Sequence, residues 1–404
     1  MKRSIVCIAV ALVSLAWIAS PDAHAQAQAV KVGIIAPFSG PYADWGKEYQ
    51  RAIQLYLERH NGKNGNPTVT VLTRDTGGIN PARAKQLAQE LIVRDQVTIL
   101  GGEGFSPNVL AVADLVTEAK IPFVIFNAAT AFITDRSKYF VRPTFTMWTY
   151  IHPFGQWAAQ QGMKKGAILA ADYSPGEDAI EAFTKGFEAA DGKIVSVIKV
   201  PLNTTDFSSY LQRLRDASPQ FVFIFFPNGP LSIGVVKAFF DRGLDKAGIK
   251  LLGGSETGEQ ELPAIGEAAL GTITALIYGP YLSNPTNKAF VAAYKAKFGQ
   301  TELPNFITIG AYDGMEMIFR MLKTAEGKRN GDKMMAGAMG YAWQSPRGPV
   351  SIDPRTREMV QNLYIRRVEK RDGILMNAEF HTIPNVKDPW HELNMGKQAP
   401  AGPR

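Results

Sequence analysis

The sequence predicts an α/β fold built from two successive units of similar construction. Short runs rich in β-branched and aromatic residues alternate with segments of helical apolar spacing, and this alternation restarts after Thr149. Repeated strand-helix units imply parallel sheets covered by helices on both faces. A length of 404 residues suits two or three domains that bury their own cores.

The first unit opens with the β-rich run Val30–Ala36. In the helix that follows, apolar residues between Tyr49 and Leu57 recur at intervals of three and four. Pro81 opens the next helix, since proline suits the first helical position. The other elements predicted here are the strands Val69–Leu72, Val97–Leu100 and Ile121–Phe126 and the helix Asn108–Ala119.

The second unit repeats the pattern, and the chain then continues beyond it. Its predicted helices are Phe154–Gln161, one through Ala179 and Phe187, Phe207–Arg215 and Ser232–Arg242. Its predicted strands are Ala167–Ala170, Ile194–Val200, Phe221–Phe226, Ile249–Leu252 and Thr272–Tyr278. Helices at Asn287–Phe298 and Phe306–Ala325 follow, then a β-like segment, Val350–Arg367, and a tail beyond Asp388 that we expect to be loosely ordered.

The N-terminus has the pattern of a secretory signal peptide. Lys2 and Arg3 precede an apolar stretch, Ile5–Ile18, and the small residues up to Ala25 follow. We therefore expect residues 1–25 to be cleaved after Ala25 and the mature chain to lie in the periplasm; an uncleaved membrane anchor is the alternative. Cleavage removes the single cysteine, Cys7, which excludes a cysteine nucleophile and a thiolate metal site.

Charge and motifs argue against nucleic-acid binding and catalysis. Loss of Lys2, Arg3 and Asp22 takes the formal charge from +7 to +6, and the remaining basic residues are dispersed among acidic ones. The histidines lack metal-binding spacing, and no Gly-x-Ser-x-Gly elbow is present. Glu177 and Asp178 are predicted to be solvated charges at a helix start. We expect no enzyme activity, no metal and no cofactor.

Candidate binding residues follow the predicted strands, because ligands in open α/β sheets bind at the carboxyl ends of strands. Trp45 follows the first strand and suits either a cavity wall or a surface position in a helix-entry loop. Ser106 ends a Gly-rich loop and can cap a helix, bind a ligand, or do both. Asn127–Thr130 offers backbone N–H groups and a hydroxyl to an anion, or is an ordinary capped loop.

Four segments together resemble the branched-chain amino-acid-binding family, the type I periplasmic solute-binding proteins of ABC transporters. They are Lys31–Gly46 (KVGIIAPFSGPYADWG), the Gly-rich loop ending at Ser106, Ile121–Thr130 (IPFVIFNAAT) and Asp206–Leu214 (DFSSYLQRL). The resemblance extends from about Val30 to about Asp353. It implies two Rossmann-like lobes with parallel sheets, joined by three crossover strands, with the ligand in the cleft between the lobes.

The resemblance also implies a division of the chain. Lobe 1 would comprise residues 26–147 and 279–348, lobe 2 residues 148–278 and 349–390, and residues 391–404 a C-terminal tail. Hinge strands would lie near Thr146–Thr149, Tyr278–Tyr281 and Tyr341–Pro349. The implied partners are a small carboxylate ligand and the permease subunits of an ABC transporter, and we expect a monomer.

Carried onto this sequence, the family pattern makes Trp45 an aromatic cleft residue. It makes Ser106, the backbone at Ala128 and Ala129, and Thr130 a carboxylate clamp. The second lobe departs from the pattern, because Pro175 stands where amino-acid binders carry a tyrosine. The acidic partner of an α-ammonium falls near Glu256, in a register that the sequence does not fix.

Two ligand hypotheses follow. One is an aliphatic or branched-chain amino acid with Glu256 as the ammonium partner. The other, which we favour, is an aromatic carboxylic acid held by the same clamp and by Trp45, Phe105 and Tyr173. In both, the lobes close over the ligand like a Venus flytrap. A ligand-sensing domain that feeds a regulatory partner is the alternative function for the same fold.

Overall fold

The structure is a computed structural model that describes residues 29–394. The predicted signal peptide, residues 1–25, and residues 395–404 of the predicted tail lie outside the described residues. Within the described range the chain forms the two α/β units that the sequence predicts, and each is built on its own sheet.

The first unit contains a five-stranded parallel sheet in the order β2-β1-β3-β4-β5. Its strands are β1 (Val30–Ala36), β2 (Val69–Asp75), β3 (Ile99–Gly102), β4 (Phe123–Ile125) and β5 (Phe140–Val141). Because β1 lies between β2 and β3, the strand order reverses there. The carboxyl ends of β1 and β3 therefore form a topological switch point, where such sheets bind ligands.

Four helices belong to this part of the chain. They are α1 (Ala43–His60), α2 (Pro81–Gln89, continued by a π-helical turn, Glu90–Arg94), α3 (Ser106–Ala111) and α4 (Ala113–Ala119). The start of α2 is fixed as predicted, with Asn80 accepting a hydrogen bond from the Arg83 amide and Pro81 in the first turn. Helix α1 starts at Ala43, six residues before the predicted apolar face begins at Tyr49, and this early start brings Trp45 into the first turn.

The second unit has a parallel core of five strands in the order β7-β6-β8-β9-β10. Its switch point lies between β6 and β8. The strands are β6 (Lys165–Ala171), β7 (Lys193–Val200), β8 (Phe221–Phe225), β9 (Lys250–Gly253) and β10 (Ile273–Leu276). The helices are α5 (Met147–Gln160), α6 (Ser174–Glu188), α7 (Ser208–Asp216), α8 (Pro230–Asp241) and α9 (Leu262–Ile265).

Helix α5 begins seven residues earlier than predicted. Thr146 and Thr149 form a capping box, in which each side chain bonds the other residue's backbone amide. The prediction of a hinge strand at Thr146–Thr149 is therefore wrong, since these residues start a helix. Pro153 lies inside α5, and its presence within the apolar run is one reason why the sequence suggested a later start.

The next three helices return to the first unit. They are α10 (Pro285–Phe298), α11 (Phe306–Thr324) and α12 (Gly331–Ala338). Helix α11 packs against α1 and against β3 and β4 of the first sheet. Asn305 caps α11 by accepting hydrogen bonds from the amides of Ile307 and Thr308, and this cap fixes the position of Phe306.

Four antiparallel strands extend the second sheet. They are β11 (Ala342–Ser345), β12 (Gly348–Ile352), β13 (Met359–Arg371) and β14 (Ile374–Val386). Strand β13 pairs with β10 and so joins the parallel core. The predicted β-like segment Val350–Arg367 is thus two strands, separated at residues 353–358. Strand β14 was not predicted, because its sequence, ILMNAEFHTIPNV, carries polar residues and a proline that suit only an edge strand.

The last element of the described residues is a short helix, α13 (Pro389–Leu393). Trp390 is buried and its ring lies 6.5 Å from that of Phe132 in the first unit. The expectation of a loosely ordered tail beyond Asp388 is therefore wrong as far as Leu393.

The chain passes between the two units three times, after β5, after β10 and after α12. Buried ion pairs tie the last of these passages to the first unit. Glu358 pairs with Arg142, and Arg347 pairs with Asp313 of α11. The residue boundaries of the lobes stay a prediction. In the part of the chain described, no helix combines the length and apolar character that a membrane span requires.

Candidate functional site

The carboxyl ends of the two sheets meet at a cavity between the units. Loops after β1, β3 and β4 contribute from the first unit, and loops after β6, β8 and β9 from the second. Within residues 29–394, none of the side chains lining this cavity is charged. The lining residues are Trp45, Gly104, Asn127, Ala129, Phe145, Met147, Tyr150, Tyr173, Pro175, Phe225, Phe226, Pro227, Asn228, Ser255, Leu276 and Phe306.

Aromatic rings form the wall on the side of the first unit. The Trp45 ring stacks on Phe105 at 5.2 Å between centroids and meets Phe306 edge-on at 5.9 Å. Trp45 lies directly over Gly104, where a Cβ atom would come within 2.5 Å of the indole ring. The absence of a side chain at Gly104 therefore leaves the room that the indole ring occupies beside the cavity. The Trp45 Nε1 donor is buried and has no partner among the described residues.

The second unit supplies the opposite wall. Tyr173 and Phe225 stack with centroids 6.2 Å apart and planes 10° from parallel. Tyr150, from the first turn of α5, also lines the cavity. Burial raises the pKa of both tyrosines well above the usual value, so both hydroxyls keep their protons and remain able to donate hydrogen bonds.

The loop at Ala128–Ala131 has a fixed peptide orientation. Arg142, fully buried, donates to the carbonyl oxygens of Ala128, Thr130 and Ala131 at 2.7–3.0 Å. In a trans peptide the N–H group points opposite to the carbonyl. The Ala129 amide therefore points away from Arg142, and Ala129 is the residue of this loop that lines the cavity.

Two hydroxyls lie beside this loop. Ser106 Oγ accepts a hydrogen bond from the Thr130 amide at 3.1 Å, so its hydroxyl proton remains to be donated. Thr130 Oγ1 is buried, with no partner in the described part of the chain. An amide and two hydroxyls at one loop are the groups with which proteins hold a carboxylate without a counter-charge.

Glu256 lies behind the cavity and is fully engaged. Its two carboxylate oxygens accept hydrogen bonds from the amides of Phe226 at 3.0 Å and Gly254 at 2.6 Å. Burial raises the pKa of Glu256 to about 7, although these amides and the nearby Arg366 oppose the rise. Arg366 in turn donates to the Gly254 carbonyl. Glu256 thus holds together the loops after β8 and β9.

The polar lining of the second unit is a pair of residues. Ser255 Oγ donates to Asn228 Oδ1, and Asn228 Nδ2 donates to the Ser255 carbonyl at 2.6 Å. Glu261 lies behind Asn228, and burial raises the pKa of Glu261 to about 7. This end of the cavity can therefore exchange hydrogen bonds with a polar substituent on a ligand.

The predicted site residues fall into two groups. Trp45, Ala129 and Tyr173 line the cavity, whereas Phe105, Ser106, Ala128, Thr130 and Glu256 are buried beside it. The prediction that Asp178 is solvated is wrong: its side chain is buried and accepts a hydrogen bond from the Ala131 amide. Glu177 is exposed, as expected, and pairs with Lys199.

Sequence reasoning missed five aromatic lining residues. Phe225 ends β8 and Phe226 directly follows it, so the strand-end rule could have found both. Phe145, Tyr150 and Phe306 precede or start helices after passages between the units, and no local pattern marks them. Among residues 29–394, no group of three or more metal-ligating side chains is placed to hold an ion.

Comparison with known proteins identifies the family. The profile described as periplasmic binding protein matches residues 29–373. The chain belongs to the periplasmic binding protein family. A family member from Brucella melitensis, named Leu/Ile/Val-binding protein homolog 6, is 41% identical over 382 residues, which cover 94% of this chain and 98% of the relative.

Solved structures of periplasmic binding proteins share this fold. A solute-binding protein of an ABC transporter from Rhodopseudomonas palustris HaA2, in complex with p-hydroxybenzoic acid, is 43% identical with a TM-score of 0.87, covering 92% of this chain and all of that one. One from strain BisB5, in complex with 3,4-dihydroxybenzoic acid, is 45% identical with a TM-score of 0.85, covering 90% and 99%.

Proposed function

We propose that this periplasmic binding protein is the substrate-binding component of an ABC importer for benzoate-class aromatic carboxylic acids. The observation that carries the proposal is the lining of the cavity, to which both units contribute aromatic rings and in which no charged side chain of the described residues takes part. The protein binds its ligand, closes over it and presents it to the permease without transforming it.

The walls of the cavity suit a single aromatic ring. Small-molecule sites are mostly apolar with a few placed polar groups, and the lining of this cavity has that composition. The Trp45 ring on one side and the Tyr173–Phe225 pair on the other offer flat surfaces to a ring between them.

The carboxylate of the ligand is assigned to the loop of the first unit. The Ala129 amide and the hydroxyls of Ser106 and Thr130 are the donors, and Arg142 holds the loop from behind. Phe105 and the backbone of Ala128 support this arrangement, Phe105 through its stacking on Trp45 and Ala128 through its carbonyl bond to Arg142.

An amino acid fits this cavity less well. Its α-ammonium needs an anionic partner, and leaving that charge unpaired costs about 1–3 kcal/mol or more. Both oxygens of Glu256, the predicted partner, already accept backbone hydrogen bonds. The aromatic acids held by the two Rhodopseudomonas proteins support the same choice, whereas the name of the Brucella relative points to amino acids.

A ligand panel tests the proposal. The mature chain from Gln26 is titrated by calorimetry with benzoate, 4-hydroxybenzoate, 3,4-dihydroxybenzoate, leucine and valine. Benzamide, which keeps the ring but lacks the charge, is the matched control ligand. We expect binding of at least one benzoate and no binding of benzamide. Tight binding of leucine or valine with none of the aromatic acids would refute the proposal.

A further inference from the structure

A buried carboxylate connects the two units beside the proposed clamp. Asp178 lies in the first two turns of α6, in the second unit. Its Oδ2 atom accepts a hydrogen bond of 2.7 Å from the amide of Ala131, in the first unit. Ala131 directly follows Thr130, so this bond reaches the loop to which we assign the ligand carboxylate.

The geometry of the loop explains why the Ala131 amide is available to the other unit. The carbonyl of Thr130 accepts a hydrogen bond from Arg142 at 2.7 Å. Since the N–H of the same trans peptide points the opposite way, the Ala131 amide points away from Arg142. Arg142 therefore holds the loop from within the first unit, and Asp178 holds it from the second.

This contact joins the two units. Asp178 and Ala131 are both buried in the described arrangement. If the units separate, the Ala131 amide loses its protein acceptor and the Asp178 carboxylate returns to water. A second inter-unit hydrogen bond runs from Asn305 to Gln260. Gln260 is exposed, so water replaces that bond at little cost.

We propose that Asp178 is a positioning residue for the ligand: it docks on the clamp loop only when the units close, and it thereby slows ligand release. This inference rests on the proposed function. Docking follows ligand entry, so it acts on the dissociation rate and leaves the association rate nearly unchanged. Only an acceptor oxygen is required, so the asparagine variant retains the effect.

Stopped-flow tryptophan fluorescence measures both rates, using 4-hydroxybenzoate as the probe. Asp178→Ala is expected to dissociate about tenfold faster than wild type, which corresponds to 1.4 kcal/mol, with an association rate within about twofold. Asp178→Asn is expected to dissociate within about twofold of wild type. Glu177→Gln, the exposed neighbour, and Gln260→Ala, at the exposed inter-unit bond, are the matched controls and should match wild type.

Two results would overturn the inference. One is an Asp178→Ala dissociation rate equal to that of wild type. The other is an Asp178→Asn rate as fast as that of the alanine variant, because the hydrogen-bond acceptor would then not be the cause. Thermal unfolding without ligand checks that both variants fold.

A second readout separates this inference from the proposed function. If wild type binds none of the aromatic acids, the proposed function fails and the rates cannot be measured. The chain from Gln26 has no cysteine, so Val93→Cys and Ile374→Cys, both exposed and in different units, accept a fluorophore pair. Single-molecule energy transfer then reports closure directly. Asp178→Ala must populate the closed distance less than wild type, and equal populations would overturn the inference.

Discussion

Gly104 is the residue on which the position of Trp45 depends. A Cβ atom at residue 104 would lie 2.5 Å from two carbons of the indole ring, so the ring must move into the cavity. We expect Gly104→Ala to weaken binding of 4-hydroxybenzoate about tenfold, because overpacking costs about 1–3 kcal/mol. Calorimetry checks this. Gly279→Ala, where the nearest atom is 3.5 Å away, should leave the affinity unchanged, and an unchanged affinity in Gly104→Ala would contradict the prediction.

The variant Glu256→Gln distinguishes the two ligand hypotheses, because one predicts a change in protein stability and the other a loss of ligand affinity. Both of its oxygens accept amide hydrogen bonds, and a glutamine would turn an NH₂ group toward one of those amides. We expect Glu256→Gln to lower the free energy of unfolding by about 1–3 kcal/mol. The affinity for 4-hydroxybenzoate should stay within about threefold of wild type.

Urea denaturation and calorimetry on the same sample measure both quantities for this variant. A loss of most of the ligand affinity with unchanged stability would mean that Glu256 contacts the ligand, as the amino-acid hypothesis requires. Glu177→Gln, at an exposed position on α6, serves as the control for the removal of one negative charge.

At the scale of elements, α13 attaches the C-terminus to the first unit through a charge that depends on pH. Burial alone would lower the pKa of His391, but hydrogen bonds to Asp135 and Asp388 raise it to about 10. Because the pKa of His391 is higher in the folded protein than in the unfolded chain, the protonated imidazole stabilises the fold. This contribution to the free energy of unfolding is fully present below about pH 6.5, the pKa in the unfolded chain, and is lost as the pH rises through about 10.

We therefore expect His391→Gln to lower the free energy of unfolding by about 2 kcal/mol at pH 6 and by much less at pH 10.5. Urea denaturation at the two pH values measures the difference. His381→Gln, at an exposed position on β14, is the matched control and should change little at either pH. A cost for His391→Gln that is the same at both values would mean that packing alone holds α13.

Most elements could be predicted from sequence, because apolar periodicity and caps such as Asn80 are local signals. The predictions fail where residues distant in the sequence determine the burial or position of a side chain. Asp178 has the sequence context of a solvated helix start, and only the first unit's Ala131 buries it. In the site, Trp45 and Ala129 follow strands and could be predicted, whereas Phe306 reaches the cavity only because α11 packs on the first sheet.

At the scale of the whole molecule, the cavity has walls from both units, so ligand binding and closure are thermodynamically coupled. We expect 4-hydroxybenzoate to reduce the radius of gyration of the chain from Gln26, because the ligand favours the closed arrangement. Small-angle X-ray scattering with and without the ligand measures this. Leucine, which lacks an anionic partner for its ammonium group, should leave the radius unchanged, and an equal contraction with both compounds would contradict the prediction.

The Arg142–Glu358 pair has a practical consequence for grafting this site onto a relative. Arg142 orients the loop that faces the ligand, and Glu358, which holds Arg142 at 2.6–2.7 Å, stands 216 residues further along the chain. A chimera that transplants only the N-terminal segment would import the guanidinium without its carboxylate. The loop at Ala128–Ala131 would then be held by a buried guanidinium that has lost its carboxylate partner. A transplant of the binding specificity must therefore carry residue 358 together with the first 147 residues.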